Sequence, residues 1–432
     1  MDEDDRQGVG SRLRQLRVEA GLTQKELATP RYTHAYVSTI ESGRRTPSED
    51  ALGFFAGKLG ISPEELATGR PADLEARLGI GLADVRRRIF GGEYHQTEGE
   101  LKRMHAEAQR FNLKKLEART LETRALLAER RGSISRALDL YREAGHLVAD
   151  APLTEQVEAI VGEARCSHAL GDVRYAIHRL ESLKEALTRA GLDEPNSLVR
   201  IDASLVSSYF EAGLYPQAAT VAEEALVLAP RATDPEKLAN MHLNVAWSLL
   251  NEGQPEVASE SLARARDLFL QLEYPIETAR ARLAGAMVLA RQGQLGEATE
   301  GLELARKEFE AAGDWTNFAR ATNELARVAR LADQPDRAAG LLEESLENLS
   351  PEAHPSLYAW ALREQALTVL AEDADEAEKN LRRAVDLFTR TDESVELAST
   401  YRALGDLLSE KGDESASADA YRAGIVALER RL

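Results

Sequence analysis

From residue 132 onwards one local pattern returns every 39 to 42 residues, and it limits the folds open to most of this chain. Gly132, Gly171, Gly213, Gly253, Gly293, Asp333, Glu372 and Gly412 interrupt helix-forming segments. Five residues after each stands a small residue: Ala137, Ala176, Ala218, Ala258, Ala298, Ala338, Ala377 or Ser417. A second follows seven further on in Ala144, Ala225, Ala265, Ala305 and Ala384, and another precedes the breaker by seven in Ala164, Ala246, Ala286 and Ala326. Small residues at fixed places let paired helices approach closely while larger neighbours fill the grooves. A repeat of this length is one supersecondary unit that buries its apolar side only by stacking on its neighbours. Eight helix pairs in a row are expected, not a single globular core.

Composition agrees. Of the 432 residues 43% are hydrophobic but only 5% aromatic, and Ala, Leu, Glu and Arg dominate, so an all-α chain is expected. No apolar run approaches the ~18 residues of a membrane span. The acidic start MDEDDRQG is the opposite of a secretory leader and is expected to lie outside the fold. The single cysteine, Cys166, excludes an internal disulfide framework and a cysteine-based zinc site, and reads as a core residue. The eight histidines are scattered, and there is no HExxH, Gly-rich phosphate loop or GxSxG. No catalytic residue, metal ligand or cofactor is therefore assigned. A cytoplasmic chain is expected.

A different grammar governs residues 9–70. In GLTQKELATPRYTHAYVSTIESGRRTP, Thr23 and Glu26 form a capping box, Leu27 and Ala28 face inward, and Pro30 stops the helix. Thr33 caps a second helix to about Ser42, with Val37 and Ile40 on its buried side and Gly43 ending it. A first helix from about Ser11 to Ala20 precedes this pair, with Leu13 and Leu16 inward. Ser48 caps a fourth helix with Leu52, Phe55 and Leu59 as its stripe, and Ser62-Pro63 opens a fifth.

This stretch resembles the XRE, or lambda-repressor-like, helix-turn-helix family, through RLRQLRVEAGLTQKELA, AYVSTIESGRRTPS and ALGFFAGKLGISPEEL. Its connection Thr29-Pro30-Arg31-Tyr32 lacks a glycine that many such turns carry and is about one residue shorter. The resemblance implies a double-stranded DNA operator as partner. It places His34, Ala35 and Thr39 at base edges and Gln24 on the backbone or a nearby base. Thr33, Tyr36, Ser38, Arg44 and Arg45 would take phosphates, which position the head while base contacts specify the sequence.

The repeats resemble the tetratricopeptide motif, whose usual period is about 34 residues; here each helix reads about a turn longer. The resemblance implies a right-handed α-solenoid of about eight pairs with a concave face lined by the first helix of each pair. Counting back from the breakers gives its lining. Thirteen before stand Arg200, Asn240, Arg280 and Arg320, with Trp360 continuing the row, and six before stand Ser207, Trp247, Met287 and Arg327. Asn240, Asn244, Trp247 and Asn251 share one helix face, and Asn323 is grouped with these residues. Asparagine offers donor and acceptor to a peptide backbone, and the arginine row offers a site for an anionic group.

Between head and repeats, residues 71–96 read as a helix from Ala72 to Ile89 followed by Gly91-Gly92, either a hinge or a turn. Charge divides the same way. Residues 9–70 hold nine Lys/Arg against seven Asp/Glu, whereas residues 71–432 hold 44 against 62. Acid in the body repels DNA away from the head.

A helix-turn-helix head on a tetratricopeptide body looks like the peptide-sensing RNPP regulators. That resemblance implies a homodimeric transcriptional regulator that binds a short peptide or anionic ligand in its groove. The alternative reading is a protein-interaction scaffold with a minor DNA-binding role.

Overall fold

A computed structural model describes residues 3–370, 372–391 and 393–429; the side chains of residues 3–7 and 251 lie outside the description. The described chain is helical throughout, with no strand among the described residues. It divides into two compact units, one of residues up to Val85 with Gly99–Thr120 and one of Arg86–Glu98 with Leu121 onwards.

The first unit opens with α1 (Glu3–Glu19), α2 (Gln24–Ala28), α3 (His34–Glu41), α4 (Glu49–Leu59) and α5 (Pro63–Thr68). Helix α1 begins eight residues earlier than the sequence reading placed it. The backbone is helical from residue 3, and nothing before Ser11 breaks the helix. Leu13, Leu27, Ala28, Val37, Ile40, Phe55 and Leu66 form the core, with Leu16, Leu52 and Leu59 partly buried against it. The caps follow the sequence. The Thr23–Glu26 box forms, the Thr33 hydroxyl accepts from the Tyr36 N–H, and Ser48 and Ser62 cap α4 and α5. Gly43, at φ +72°, donates to the Ile40 carbonyl while the Arg44 N–H reaches back to Thr39, closing α3.

Helix α6 (Leu74–Phe90) and α7 (Thr97–Arg110) follow. The division between the units falls inside α6, after Val85. Gly91-Gly92 makes a turn. Gly92 has φ +86°, the N–H groups of Gly91 and Glu93 close onto the Arg87 and Arg88 carbonyls, and a Cβ on Gly92 would meet Ile276 and the Ala312 carbonyl.

Eight helix pairs follow among the described residues. They are α8 (Lys114–Arg130) with α9 (Ile134–Leu147), α10 (Leu153–Ala169) with α11 (Val173–Arg189), and α12 (Pro195–Glu211) with α13 (Tyr215–Leu228). Next come α14 (Pro235–Asn251) with α15 (Pro255–Gln271) and α16 (Pro275–Arg291) with α17 (Leu295–Ala312). The last are α18 (Trp315–Leu331) with α19 (Pro335–Asn348), α20 (Pro355–Val369) with α21 (Ala374–Thr391), and α22 (Ser394–Glu410) with α23 (Glu414–Glu429). This is a tetratricopeptide-like solenoid. Six breaker glycines and Asp333 hold positive φ, the geometry a tight interhelix turn requires. Every small residue of the repeat pattern is buried, from Ala137 to Ser417. Helices of 17 residues, as in α14, α15 and α16, account for the period of about 40. No helix is long and apolar enough to cross a membrane among the described residues.

Candidate functional site

The head presents one face of α3. Val37 and Ile40 are buried, and His34, Ala35 and Ser38 are exposed on the opposite side, with Thr33 at its N-terminus and Arg44 and Arg45 just beyond its end. The helix is fixed from behind. Arg17 of α1 donates from Nε and Nη2 to the two carboxylate oxygens of Glu41, at 2.6 and 3.0 Å, and Gln24 donates to the same carboxylate at 2.8 Å. Burial alone would raise the Glu41 carboxyl, but the hydrogen bonds from Arg17 and Gln24 hold it below the usual carboxylate value. Gln24 thus joins α2 to α3, and its side-chain nitrogen is used within the protein.

Two assigned contacts change character. Tyr36 is half-buried, stacked on Tyr32 at 5.1 Å in a cluster with Phe54 and Phe55, because an aromatic ring gains more from that packing than from solvent. The Arg45 guanidinium lies 4.8 Å from the Tyr36 ring. The Thr39 hydroxyl donates to the Tyr36 carbonyl, which leaves its oxygen as an acceptor. The sequence reading missed the Arg17–Glu41–Gln24 lock, which depends on two residues 24 positions apart.

In the second unit the first helices of successive pairs surround a cavity of about 390 Å³. Five residues assigned from the repeat register line it: Arg200, Ser207, Asn240, Asn244 and Arg280. Asn240 donates to the Glu236 carbonyl at 2.8 Å and Asn244 to the Ala203 carbonyl at 2.9 Å. Each keeps its amide oxygen without a partner among the described residues, an acceptor open to a ligand.

The other assigned residues stand elsewhere. Trp247 is half-buried with Arg291 at 5.6 Å from its ring, and Met287 packs against the apolar core of α16 to α18. Asn323 is a correction. It is 2% exposed, donates to the Leu357 carbonyl and accepts from the Ser345 hydroxyl, so it clamps neighbouring repeats and has no reach to a groove. Arg327 donates to Glu324 at 2.8 Å, while Arg320 makes no hydrogen bond or ion pair among the described residues. The side chain of Asn251 lies outside the described residues.

Beyond Arg200 and Arg280, the cavity owes its charge to residues the sequence reading did not assign. Arg86 pairs with Glu236, Arg165 with Glu129, and Arg130 with Glu277. Arg200 pairs with Glu158 at 3.2 Å, and Arg280 takes the other oxygen of Glu277 at 2.9 Å. Five guanidinium groups therefore share four carboxylates. Burial would raise Glu158, yet Arg200 and Arg86 hold it well below the ordinary carboxylate range. The repeat register did carry part of this signal. Glu158 and Arg165 stand thirteen and six residues before Gly171, the same positions as Arg200 and Ser207 before Gly213.

Cys166 is buried, and burial pushes its thiol up to about 12, which leaves it inert as a nucleophile. Among the described residues no cluster of three His, Cys, Asp or Glu is placed to hold a metal.

Residues 9–68 match the family described as the helix-turn-helix domain. Over 66 residues the chain is 44% identical to an uncharacterized HTH-type transcriptional regulator, y4dJ, of Sinorhizobium fredii, covering 15% of this chain and 86% of that one. In fold it is similar to a Rap protein complexed with competence and sporulation factor, at a TM-score of 0.60 and 13% identity over 82% of this chain and 98% of that one. It is similar also to the apo form of the quorum sensor NprR from B. thuringiensis, at a TM-score of 0.56 and 13% identity over 82% of this chain and all of that one (100%).

Proposed function

The chain belongs to the helix-turn-helix transcriptional regulators, and from that premise we propose that it is a sequence-specific DNA-binding regulator controlled by a ligand held in its solenoid. The observation that carries the reading is the α3 face: His34, Ala35 and Ser38 open to solvent, two arginines at its end, and its back locked by Arg17 and Glu41. Such a helix enters a major groove with its exposed side chains on base edges. Thr33, Ser38, Arg44 and Arg45 take phosphates, while Gln24 and Tyr36 set the angle of α3. Residues 9–70 act as the reading head and residues 97–432 as the sensing body. A homodimer in the cytoplasm, reading paired half-sites, gives the head the contact area that specificity requires.

The ligand is a short peptide carrying an anionic group. Asn240 and Asn244 supply acceptors for backbone N–H groups, and the surplus guanidinium at Arg130 and Arg280 supplies a place for a carboxylate. The Rap protein similar in fold is complexed with competence and sporulation factor, and NprR is a quorum sensor; the class of function proposed here is of that kind.

Selection of genomic fragments on the purified full chain, followed by a salt titration on the best fragment, tests the reading. An inverted repeat bound more weakly by Arg44→Ala/Arg45→Ala, with a salt slope reduced by about 4 for the two heads together, is the expected result. No enriched fragment, or an unchanged slope, would remove the phosphate roles.

A further inference from the structure

Helix α14 separates two cavities. Glu236, Asn240 and Asn244 face the one already described, whereas Leu238 and His242 stand on the opposite side of the same helix. Those two residues line a second cavity, of about 730 Å³, between the second helices of two successive pairs, α13 and α15. Small-molecule sites commonly span about 300–1,000 Å³.

Its walls follow from the local sequence. Helix α13 stops at Leu228, and a short 3-10 turn, Ala229–Arg231, follows. Leu226, Ala229 and Pro230 from that end form one wall. Helix α15 forms the other, with Val257, Ser261, Arg264, Leu268 and Gln271 recurring every three or four residues along one face.

The polar groups of this lining lack partners. His242 is 7% exposed, and its Nδ1 is buried with no hydrogen bond among the described residues. Burial, helped by the charge of Arg264, pushes its ring down to about 4, so the imidazole is neutral and carries one N–H donor. Ser261, 3% exposed, and Arg264, exposed, make no hydrogen bond or ion pair among the described residues. Nor do the acids of the rim cancel Arg264. Asp267 is paired with Arg266, and Glu260 stands one turn before Arg264 without pairing to it.

We propose that this second cavity binds a small organic carboxylate with an apolar body. The carboxylate accepts from the Arg264 guanidinium, the Ser261 hydroxyl and the His242 ring, and the body lies against Leu226, Pro230, Leu238 and Leu268. A cationic ligand would meet Glu260 alone and stand beside Arg264. An uncharged apolar one would leave three donors unpaired, two of them on buried residues. The site is separate from the peptide groove proposed above and does not depend on it.

Imidazole NMR on the full chain follows the site directly, with the His242 signal identified by His242→Gln and octanoate as the probe. The His242 signal is expected to shift saturably, and affinity to rise by about two- to fourfold for each methylene from butyrate to octanoate. Arg264 and Glu260 are exposed, so neither substitution threatens the fold. Arg264→Gln is expected to weaken binding by about tenfold. Glu260→Gln removes a repelling charge and is expected to tighten it by about twofold or more. Arg337→Gln, the same loss of charge far along the repeats, is expected to stay within about twofold. The proposal is overturned if octanoate leaves the His242 signal unmoved, as it would when bound only in the concave cavity. Octanol or octylammonium binding as tightly as octanoate overturns it too, as does an unchanged affinity in Arg264→Gln, weaker binding in Glu260→Gln, or an equal loss in Arg337→Gln.

Discussion

Arg17 and Glu41 form a two-point ion pair, at 2.6 and 3.0 Å, that joins the first helix of the head to the far end of the reading helix. Both side chains are largely buried, at 13% and 4% exposure. Loss of one partner leaves a buried charge. Glu41→Ala is expected to destabilise the head by about 2–3 kcal/mol, somewhat less than a fully enclosed pair because Arg17 keeps some solvent.

The pair also sets a pH dependence. The Glu41 carboxyl is depressed below its ordinary 4.5 in the folded chain. Its contribution is complete above that value and disappears as pH falls through the folded value. Protection from hydrogen exchange across residues 9–68, corrected for the intrinsic rate, should therefore fall as pH drops below the ordinary carboxylate value of 4.5, and Glu41→Gln should flatten that dependence. An equally steep profile in the variant would assign the acid sensitivity to other carboxylates.

Gly10 is where α1 meets the C-terminal end of α3. A Cβ there would fall well inside the van der Waals radius of the Ile40 carbonyl oxygen, a backbone atom that cannot swing aside. Gly10→Ala is expected to push the two helices apart, cost about 1–3 kcal/mol, and weaken DNA binding although the residue faces away from any DNA surface. Wild-type affinity with wild-type stability would show that the head tolerates a wider spacing.

Three asparagines on first helices should separate by role. Asn323→Ala strands the Ser345 hydroxyl and the Leu357 carbonyl in the core and should cost about 2–3 kcal/mol. Asn244→Ala loses one bond between α14 and α12, worth about 1 kcal/mol. Asn240→Ala loses only a bond within its own helix and should barely move the urea midpoint. Ligand affinity should rank the other way, falling with Asn240 and Asn244 and not with Asn323. A single common effect of all three on stability would dissolve the distinction.

Asp202 is fully buried on α12, with Lys184 Nζ 2.7 Å away and Glu224 sharing that lysine. Burial outweighs the lysine and pushes the Asp202 carboxyl up to about 6. A raised folded value means the folded chain holds the proton more tightly. The penalty for ionising Asp202 is absent at low pH and complete above about 6, where it amounts to roughly 2–3 kcal/mol. Asp202→Asn should raise the melting temperature at pH 8 and have no effect at pH 4. A destabilised variant at pH 8 would mean that the lysine pair stabilises this site on balance.

Much of the architecture was legible in order along the chain, because it depends on local chemistry. The caps at Thr23, Thr33, Ser48 and Ser62, the glycines that end helices, and the buried alanines of every repeat are set within a few residues of themselves. A period of about 40 residues then leaves stacking as the only way to bury eight similar faces. The start of α1 was misplaced because a run of acids reads as solvent-loving whether or not it is helical.

The sites were only half legible, and the division has a physical cause. The repeat register projects side chains to equivalent places, so Arg200, Asn240 and Arg280 could be put on one lining. It does not say which of them meets a carboxylate from another helix, and that decides whether a side chain is open or spent. Asn240 and Asn323 are chemically identical, yet one faces the cavity and the other is locked between repeats by Ser345 and Leu357. Arg86, in a connecting helix with no repeat signal, joins the cavity through Glu236, 150 residues away. The sequence determined which helices form and which faces they present, because those follow from neighbours along the chain. Only the tertiary structure decided which charges neutralise one another and which remain for a ligand, because pairing energies depend on distances that no spacing in the sequence specifies.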